Sequence, residues 1–71
     1  MEKHECEHLR REIKKVADDL YERMATNDGE ARANAVLAYR HLEDASMRIG
    51  KVIQALDGGE SVYDRDQVVG A

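Results

Sequence analysis

Hydrophobic residues recur at intervals of three and four over the first third of the chain. They are Cys6, Leu9, Ile13, Val16, Leu20 and Met24. This spacing places them along one side of an α-helix, whose period is 3.6 residues. Charged residues occupy the intervening positions. The pattern therefore predicts an amphipathic helix from about residue 5 to residue 24.

A second hydrophobic pattern has a period of seven residues. Its members are Ala35, Leu42, Ile49 and Leu56, accompanied by Ala38, Ala45 and Val52. Seven-residue spacing is typical of helices that pack along a coiled-coil seam. The pattern predicts a long helix over about residues 29–56. A weaker apolar strip lies on the side away from this seam and comprises Ala33, Val36, Leu37, Met47 and Gly50.

The segment between the two patterns has the composition of a helix-breaking turn. Asn27 or Asp28 is placed to cap the second helix through a side-chain oxygen, and Glu30 is placed to complete a capping box with Asn27. So short a connection brings the second helix back antiparallel to the first. Gly58 and Gly59 then mark the helix end. The sequence predicts an all-α fold, with a two-helix hairpin over residues 1–56 followed by a glycine turn and C-terminal tail over residues 57–71.

The length of 71 residues makes an isolated hairpin marginally stable. A single cysteine excludes disulfides within the chain. The two apolar strips of the second helix are also more than one partner helix can cover. We therefore expect the hairpins to assemble into a homo-oligomeric helical bundle. Gly50, inside a helix, costs about 1 kcal/mol relative to alanine, which predicts close packing or a ligand at that position.

Charge and hydropathy narrow the classes of partner. The net charge is −4, and an extended nucleic-acid surface requires many cations, so DNA binding is unfavoured. Only residues 29–56 are net positive, with four basic and three acidic side chains. No apolar run is long enough for a membrane span, and charged residues follow Met1 where a secretory leader would be apolar. We expect a cytoplasmic protein with no membrane partner.

The residues that most resemble catalytic or metal-binding groups do not form a recognisable site. His4, Cys6 and His8 occur together, but Cys6 lies about 200° around the helix from each histidine. His41 has carboxylates beside it and no nucleophile in reach. Cys6 has no identifiable base. We expect no metal, no cofactor and no catalytic residue, and the chain is not predicted to be an enzyme.

Aromatic and basic side chains of the second helix are the candidate ligand-binding groups. They are Tyr39, Arg40, Arg48 and Lys51, which together offer ring stacking and phosphate pairing. The tail adds Gly58, Gly59, Ser61, Tyr63 and Arg65, which are suited to an anionic nucleotide. The same residues also fit a plain alternative, in which the helix positions are seam and surface residues and the tail is disordered.

The stretch Leu42-Glu43-Asp44-Ala45-Ser46-Met47-Arg48-Ile49-Gly50-Lys51-Val52-Ile53 resembles the last helix of a phage helical-hairpin family, the anti-CBASS and anti-Thoeris sponge proteins. The matching positions are Leu42, Glu43, Ala45, Met47, Ile49, Lys51, Val52 and Ile53. The resemblance covers about a dozen residues closely. It implies a small oligomer, often a hexamer, that binds a cyclic oligonucleotide or cyclic ADP-ribose type signal without cleaving it.

The same resemblance implies a role in suppressing bacterial anti-phage defence within the infected host cell, with Lys51 at the basic position of the family helix. The family's Tyr-Arg-Asp-Leu-like lead-in and the aromatic residue ahead of the last helix are missing, so its other ligand contacts cannot be transferred. An alternative function is a small oligomeric module that regulates or inhibits a host protein. In that case the strip containing Val36, Leu37 and Met47 would be the contact surface.

Overall fold

Two antiparallel helices form the part of the chain that the structure describes. The computed structural model describes residues 1–58, in which α1 spans Lys3–Met24 and α2 spans Gly29–Leu56. The predicted helical hairpin is confirmed. α1 begins two residues earlier than its hydrophobic pattern indicates, because Glu2 and Glu5 form a reciprocal capping box in which the Glu2 amide donates to Glu5 Oε1 at 3.0 Å.

The turn between the helices differs from the predicted one. Asp28 occupies the N-cap position of α2, and its side chain makes no capping hydrogen bond. The expected capping box between Asn27 and Glu30 is therefore wrong. The physical reason lies at Gly29, whose φ of +57° is left-handed and turns the backbone between the cap residue and the helix. Arg32 instead caps α1, since its Nη1 donates to the Met24 carbonyl at 3.3 Å.

The core between the helices is thin. Within residues 1–58 the buried hydrophobic residues are Cys6, Ala17 and Met24, all from α1, and only Cys6 is completely buried. Ile13 and Leu20 add half-buried side chains. α2 has no buried residue and faces them with half-buried ones, among them Ala35, Tyr39, Leu42, Ile49 and Ile53. A two-helix layer of this size buries little apolar surface, which is the dominant favourable contribution to folding.

Three contacts define how the helices align. Lys3 forms an ion pair with Asp57 at 3.2 Å, the Arg10 guanidinium lies beside Gly50, and the rings of Tyr21 and Tyr39 have centroids 5.7 Å apart. In each of these pairs the two residue numbers total 60. The hairpin is therefore paired in one constant register from its open end almost to its turn.

The hydrophobic side of α1 is only partly directed at α2. Leu9 and Val16, which the periodicity places in the seam, are 39% and 55% exposed. Ala17 is buried in place of Val16. Successive residues of a helix are rotated by about 100°, so a small shift of the contact line toward Ala17 turns Val16 out. The seam assignment of Leu9 and Val16 is therefore corrected, and both residues lie on a flank of the hairpin.

Neither helix of residues 1–58 is long and apolar enough to cross a lipid bilayer.

Candidate anion-binding groove

A groove of about 710 Å³ runs along one side of the hairpin, between α1 and α2. We call it the Arg10 groove. The side chains from α1 that line it are Arg10, Ile13, Lys14, Ala17 and Asp18. Those from α2 include Tyr39, Leu42, Glu43, Ser46, Met47, Gly50, Lys51 and Gln54. Its volume falls within the range of about 300–1,000 Å³ that is common for small-molecule sites.

Arg10 lies at the middle of this groove, above Gly50. Its Cζ and Nη1 atoms are each 3.6 Å from the point that a β-carbon on residue 50 would occupy. Its Nε donates a hydrogen bond of 3.4 Å to Ser46 Oγ. Both neighbours on α2 are small, so the planar guanidinium lies against the helix. Among the ion pairs within residues 1–58, none involves Arg10.

The electrostatic character of the groove is opposite to that of the whole chain. Arg10, Lys14 and Lys51 line it together with two carboxylates, Asp18 and Glu43. Lys14 Nζ pairs with Asp18 Oδ2 at 3.3 Å, which neutralises one charge of each sign. A neighbouring depression of about 310 Å³ is lined by Glu7, Arg11 and Ser46, and it shares Arg10 and Lys14 with the groove. The groove and the depression together thus carry one more cation than acid, in a protein whose net charge is −4.

An aromatic pair lies toward the turn end of the groove. Tyr39 lines the groove, and Tyr21 packs against it with an angle of 54° between the ring planes. Such tilted pairs are favoured by the ring quadrupoles. Tyr21 thereby holds the Tyr39 ring in place, and the groove combines a guanidinium, two ammonium groups, a hydroxyl and an aromatic surface.

The structure places the predicted ligand-binding residues in three different locations. Tyr39 and Lys51 line the groove. Arg40 and Arg48 are exposed on α2 and are not among its lining residues. Gly58 directly follows the helix, with a left-handed φ of +107°. The remaining candidates, Gly59, Ser61, Tyr63 and Arg65, lie outside the residues that the structure describes.

Sequence reasoning missed the α1 side of the groove, formed mainly by Arg10 and Lys14. These residues read as part of a solvated charged face when α1 is considered alone. The signal that identifies them is the pairing of the helices, because the constant register brings Arg10 opposite Gly50 and Ser46. A glycine and a serine in one helix opposite an arginine in the other form a recess for the guanidinium.

The histidines and the cysteine that resemble metal ligands or catalytic groups in the sequence do not line the groove. Cys6 is fully buried as a free thiol, as its place on the hydrophobic side predicts. Residues 1–58 contain no group of three or more histidine, cysteine, aspartate or glutamate side chains arranged to hold a metal ion. On the outer surface, a hydrogen bond from Lys15 to Glu12 at 3.1 Å lowers the pKa of the Glu12 carboxyl.

No protein-family model matches the chain. Comparisons with curated proteins and with solved structures also found no match.

Proposed function

We propose that this protein is a non-enzymatic binder that sequesters an anionic cyclic nucleotide, of the cyclic oligonucleotide or cyclic ADP-ribose type, in the Arg10 groove. The chemistry of the groove suits a ring carrying phosphates and bases. Phosphate oxygens accept charge-assisted hydrogen bonds from a guanidinium, and a base stacks on a tyrosine ring. The likeness of Leu42–Ile53 to the sponge-protein helix supports the same ligand class.

One observation carries this proposal, namely the position of Arg10. Its guanidinium lies beside Gly50 and donates to Ser46 Oγ, and it makes no ion pair with any carboxylate of residues 1–58. A structural arginine at this position would be expected to pair with an acid, as Arg23 does with Asp19 at 2.8 Å. An arginine that is positioned by neutral groups keeps its remaining N–H donors for an anion.

The proposed setting is the cytoplasm of an infected bacterial cell, where a phage protein of this kind would lower the free concentration of an immune signal. Sequestration requires no catalytic group, and the ligand is released unchanged. The protein acts as a homo-oligomer, which provides several grooves per particle.

Calorimetry tests the proposal against a panel of cyclic di- and trinucleotides, cyclic ADP-ribose isomers and the matching linear nucleotides. We expect saturable binding of at least one cyclic compound, and mass spectrometry of the heat-denatured complex should recover it intact. A panel without binding would overturn the sequestering function. Recovery of a hydrolysed product would overturn the non-enzymatic mechanism.

Paired substitutions then locate the site. Arg10→Gln and Lys51→Gln each remove a cation from the groove, and we expect each to weaken binding roughly 10- to 100-fold, the value of one charge-assisted hydrogen bond. Lys15→Gln is the matched control, because Lys15 is a solvent-exposed cation of α1 outside the groove. Equal losses in all three variants would indicate a general charge effect and would contradict the assignment of the groove.

A second candidate function is that of a protein-interaction module. The observation that favours it is the exposure of two large apolar side chains on α2, Leu37 at 53% and Met47 at 56%. Both belong to the weaker apolar strip of that helix. A pulldown that recovers one host protein with the wild type, but not with Leu37→Asp, would support this function. The nucleotide panel distinguishes it from sequestration.

A further inference from the structure

A second surface of the hairpin is apolar and lies on the side opposite the Arg10 groove. We call it the Leu9 face; it consists of Leu9, Val16 and Leu20 from α1 and Ala38, Ala45 and Val52 from α2. Leu9 precedes Arg10 and Ala45 precedes Ser46, and each step rotates the side chain by about 100°. Since the helices are antiparallel, both rotations lead away from the groove to the same opposite side.

The thin core determines what kind of partner this face requires. Only three hydrophobic residues of the described chain are buried, while Leu9 and Val16 remain partly exposed to solvent. Small domains with too little core gain stability by self-association. A partner that is needed for folding itself must be present whenever the chain is made. A second copy of the same chain meets that condition.

The charged residues along the edges of the Leu9 face are distributed asymmetrically. Glu12 lies on the α1 edge, where Lys15 of the same helix donates a hydrogen bond to it at 3.1 Å. Arg48 lies on the α2 edge, exposed and outside every ion pair within residues 1–58. Further toward the turn, Asp19 on the α1 edge is paired with Arg23 of its own helix at 2.8 Å. Arg48 therefore needs an acid from outside the hairpin, and Glu12 of another copy can accept from it while keeping its bond to Lys15.

We propose that two copies pack through their Leu9 faces about a two-fold axis parallel to the helices, forming an antiparallel four-helix bundle. Rotation about such an axis leaves the level of each residue along the bundle unchanged. α1 of one copy then lies over α2 of the other in the register found within the hairpin. The residue numbers of Glu12 and of Arg48 of the partner subunit total 60, as they do in the three cross-helix pairs within the hairpin. Glu12 and Arg48 of the partner subunit therefore lie at the same level of the bundle and meet.

The apolar positions fit the same arrangement. By the same register, Val16 of one copy is level with residue 44 of the other, next to Ala45, and Leu9 is level with residue 51, next to Val52. The larger Val16 side chain thus packs over a small one, as in the interdigitated layers of helical bundles. The Arg10 grooves remain on the two outer sides of the dimer, so this inference is independent of the ligand proposed above.

The other two-fold face-to-face packing has its axis perpendicular to the helices. It would place α1 over α1 and α2 over α2. Glu12 would then face Glu12 of the partner subunit's α1 edge and Arg48 would face the partner's α2 edge, so neither would meet an opposite charge, and the alanines of the two copies would face each other across a gap. Both effects oppose association, which is why the parallel axis is favoured.

A charge exchange distinguishes the two packings. In sedimentation equilibrium at low salt, we expect Arg48→Glu alone and Glu12→Arg alone each to raise the dimer dissociation constant roughly tenfold or more. The double variant, which restores opposite charges across the interface, should return to within about threefold of the wild type. The differences should shrink in 1 M salt, where charges are screened.

The matched controls reverse one acidic and one basic side chain that lie away from the Leu9 face. Asp18→Arg breaks the Lys14 ion pair of α1 on the groove side, and Arg40→Glu reverses an exposed arginine of α2. Both should leave the dissociation constant within about threefold of the wild type. A double variant as weak as the sum of the two single variants would overturn the parallel axis. A wild type that sediments as a folded monomer at micromolar concentration, with a melting temperature independent of concentration, would overturn self-association.

Discussion

The two sides of this hairpin are built from neighbouring residues of the same helices, yet they present different chemistry. The Arg10 groove combines charged groups of both signs, a serine hydroxyl and a tyrosine with apolar side chains, whereas the Leu9 face carries only leucine, valine and alanine side chains. Each helix changes character within a rotation of about 100°, from Leu9 to Arg10 and from Ala45 to Ser46. A two-helix protein can thus devote one side to association and the other to a ligand, because its core needs only the narrow strip between them.

Introducing a carboxylate into the Leu9 face should have the largest effect. Val16→Asp would bury an unpaired charge in the proposed dimer, at a cost of several kcal/mol. We expect the dimer dissociation constant to rise more than 100-fold and helicity measured by circular dichroism at 10 µM to fall sharply.

The matched control for this variant is Met47→Asp. Met47 and Val16 are almost equally exposed in the hairpin, at 56% and 55%, but Met47 lines the Arg10 groove on the opposite side. It should leave association and helicity nearly unchanged. Equal losses in the two variants would mean that exposure in the hairpin, and not membership of the Leu9 face, decides the outcome.

Two glycines of α2 provide an effect of intermediate size and opposite sign. Gly50→Ala should raise stability by about 1 kcal/mol, because alanine is the better helix former and its Cβ would meet Arg10 at an ordinary 3.6 Å. Gly29→Ala should lower stability by about 1–2 kcal/mol, since Gly29 has a φ of +57°. Thermal melts should show shifts of roughly 4–8 °C per kcal/mol.

The groove gives Gly50→Ala a second measurable consequence. If Gly50 is retained to keep the groove floor open, the stabilised variant should bind the cyclic nucleotide more weakly than the wild type. Higher stability with unchanged binding would show that the missing side chain serves neither packing nor ligand.

The smallest effect concerns the Glu12 carboxyl at the edge of the Leu9 face. Its pKa in the folded protein lies below the ordinary value of 4.5 because Lys15 donates a hydrogen bond to it. Its stabilising contribution is therefore complete above pH 4.5 and is lost as the pH falls through the lowered pKa.

Thermal melts of Glu12→Gln should accordingly fall slightly below the wild type at pH 7 and converge with it in strong acid. The difference should be small in dilute protein, because exposed ion pairs contribute little. It should grow with protein concentration if Glu12 also meets Arg48 of a partner subunit. A difference that persists below the lowered pKa would exclude ionisation of Glu12 as its cause.

The sequence pattern predicts the two helices well because helix formation depends on residues that are close together in the chain. The period of apolar residues, the turn around Asp28 and the helix-ending glycine act within a few residues of one another. The start of α1 at Lys3 was missed by two residues, since its Glu2–Glu5 capping box uses residue types that are common on any charged surface.

The groove and the outward position of Val16 could not be predicted in the same way. Both depend on how far α1 is rotated about its own axis when it meets α2. The burial of Ala17 in place of Val16 is a change of a single position, and the hydrophobic period cannot specify it. Arg10 became a candidate only once its neighbour across the hairpin was known. The sequence pattern of α2 points to Tyr39 and Lys51, and both line the groove.

Cys6 gives this protein an internal reporter of its own motions. Its thiol is 0% exposed in the first turns of α1, near the end that the Lys3–Asp57 ion pair closes. A thiol reacts with alkylating or disulfide reagents only when it reaches solvent. The rate of Cys6 modification in native buffer therefore measures how often the open end of the hairpin separates, on a chain with no second cysteine to complicate the signal.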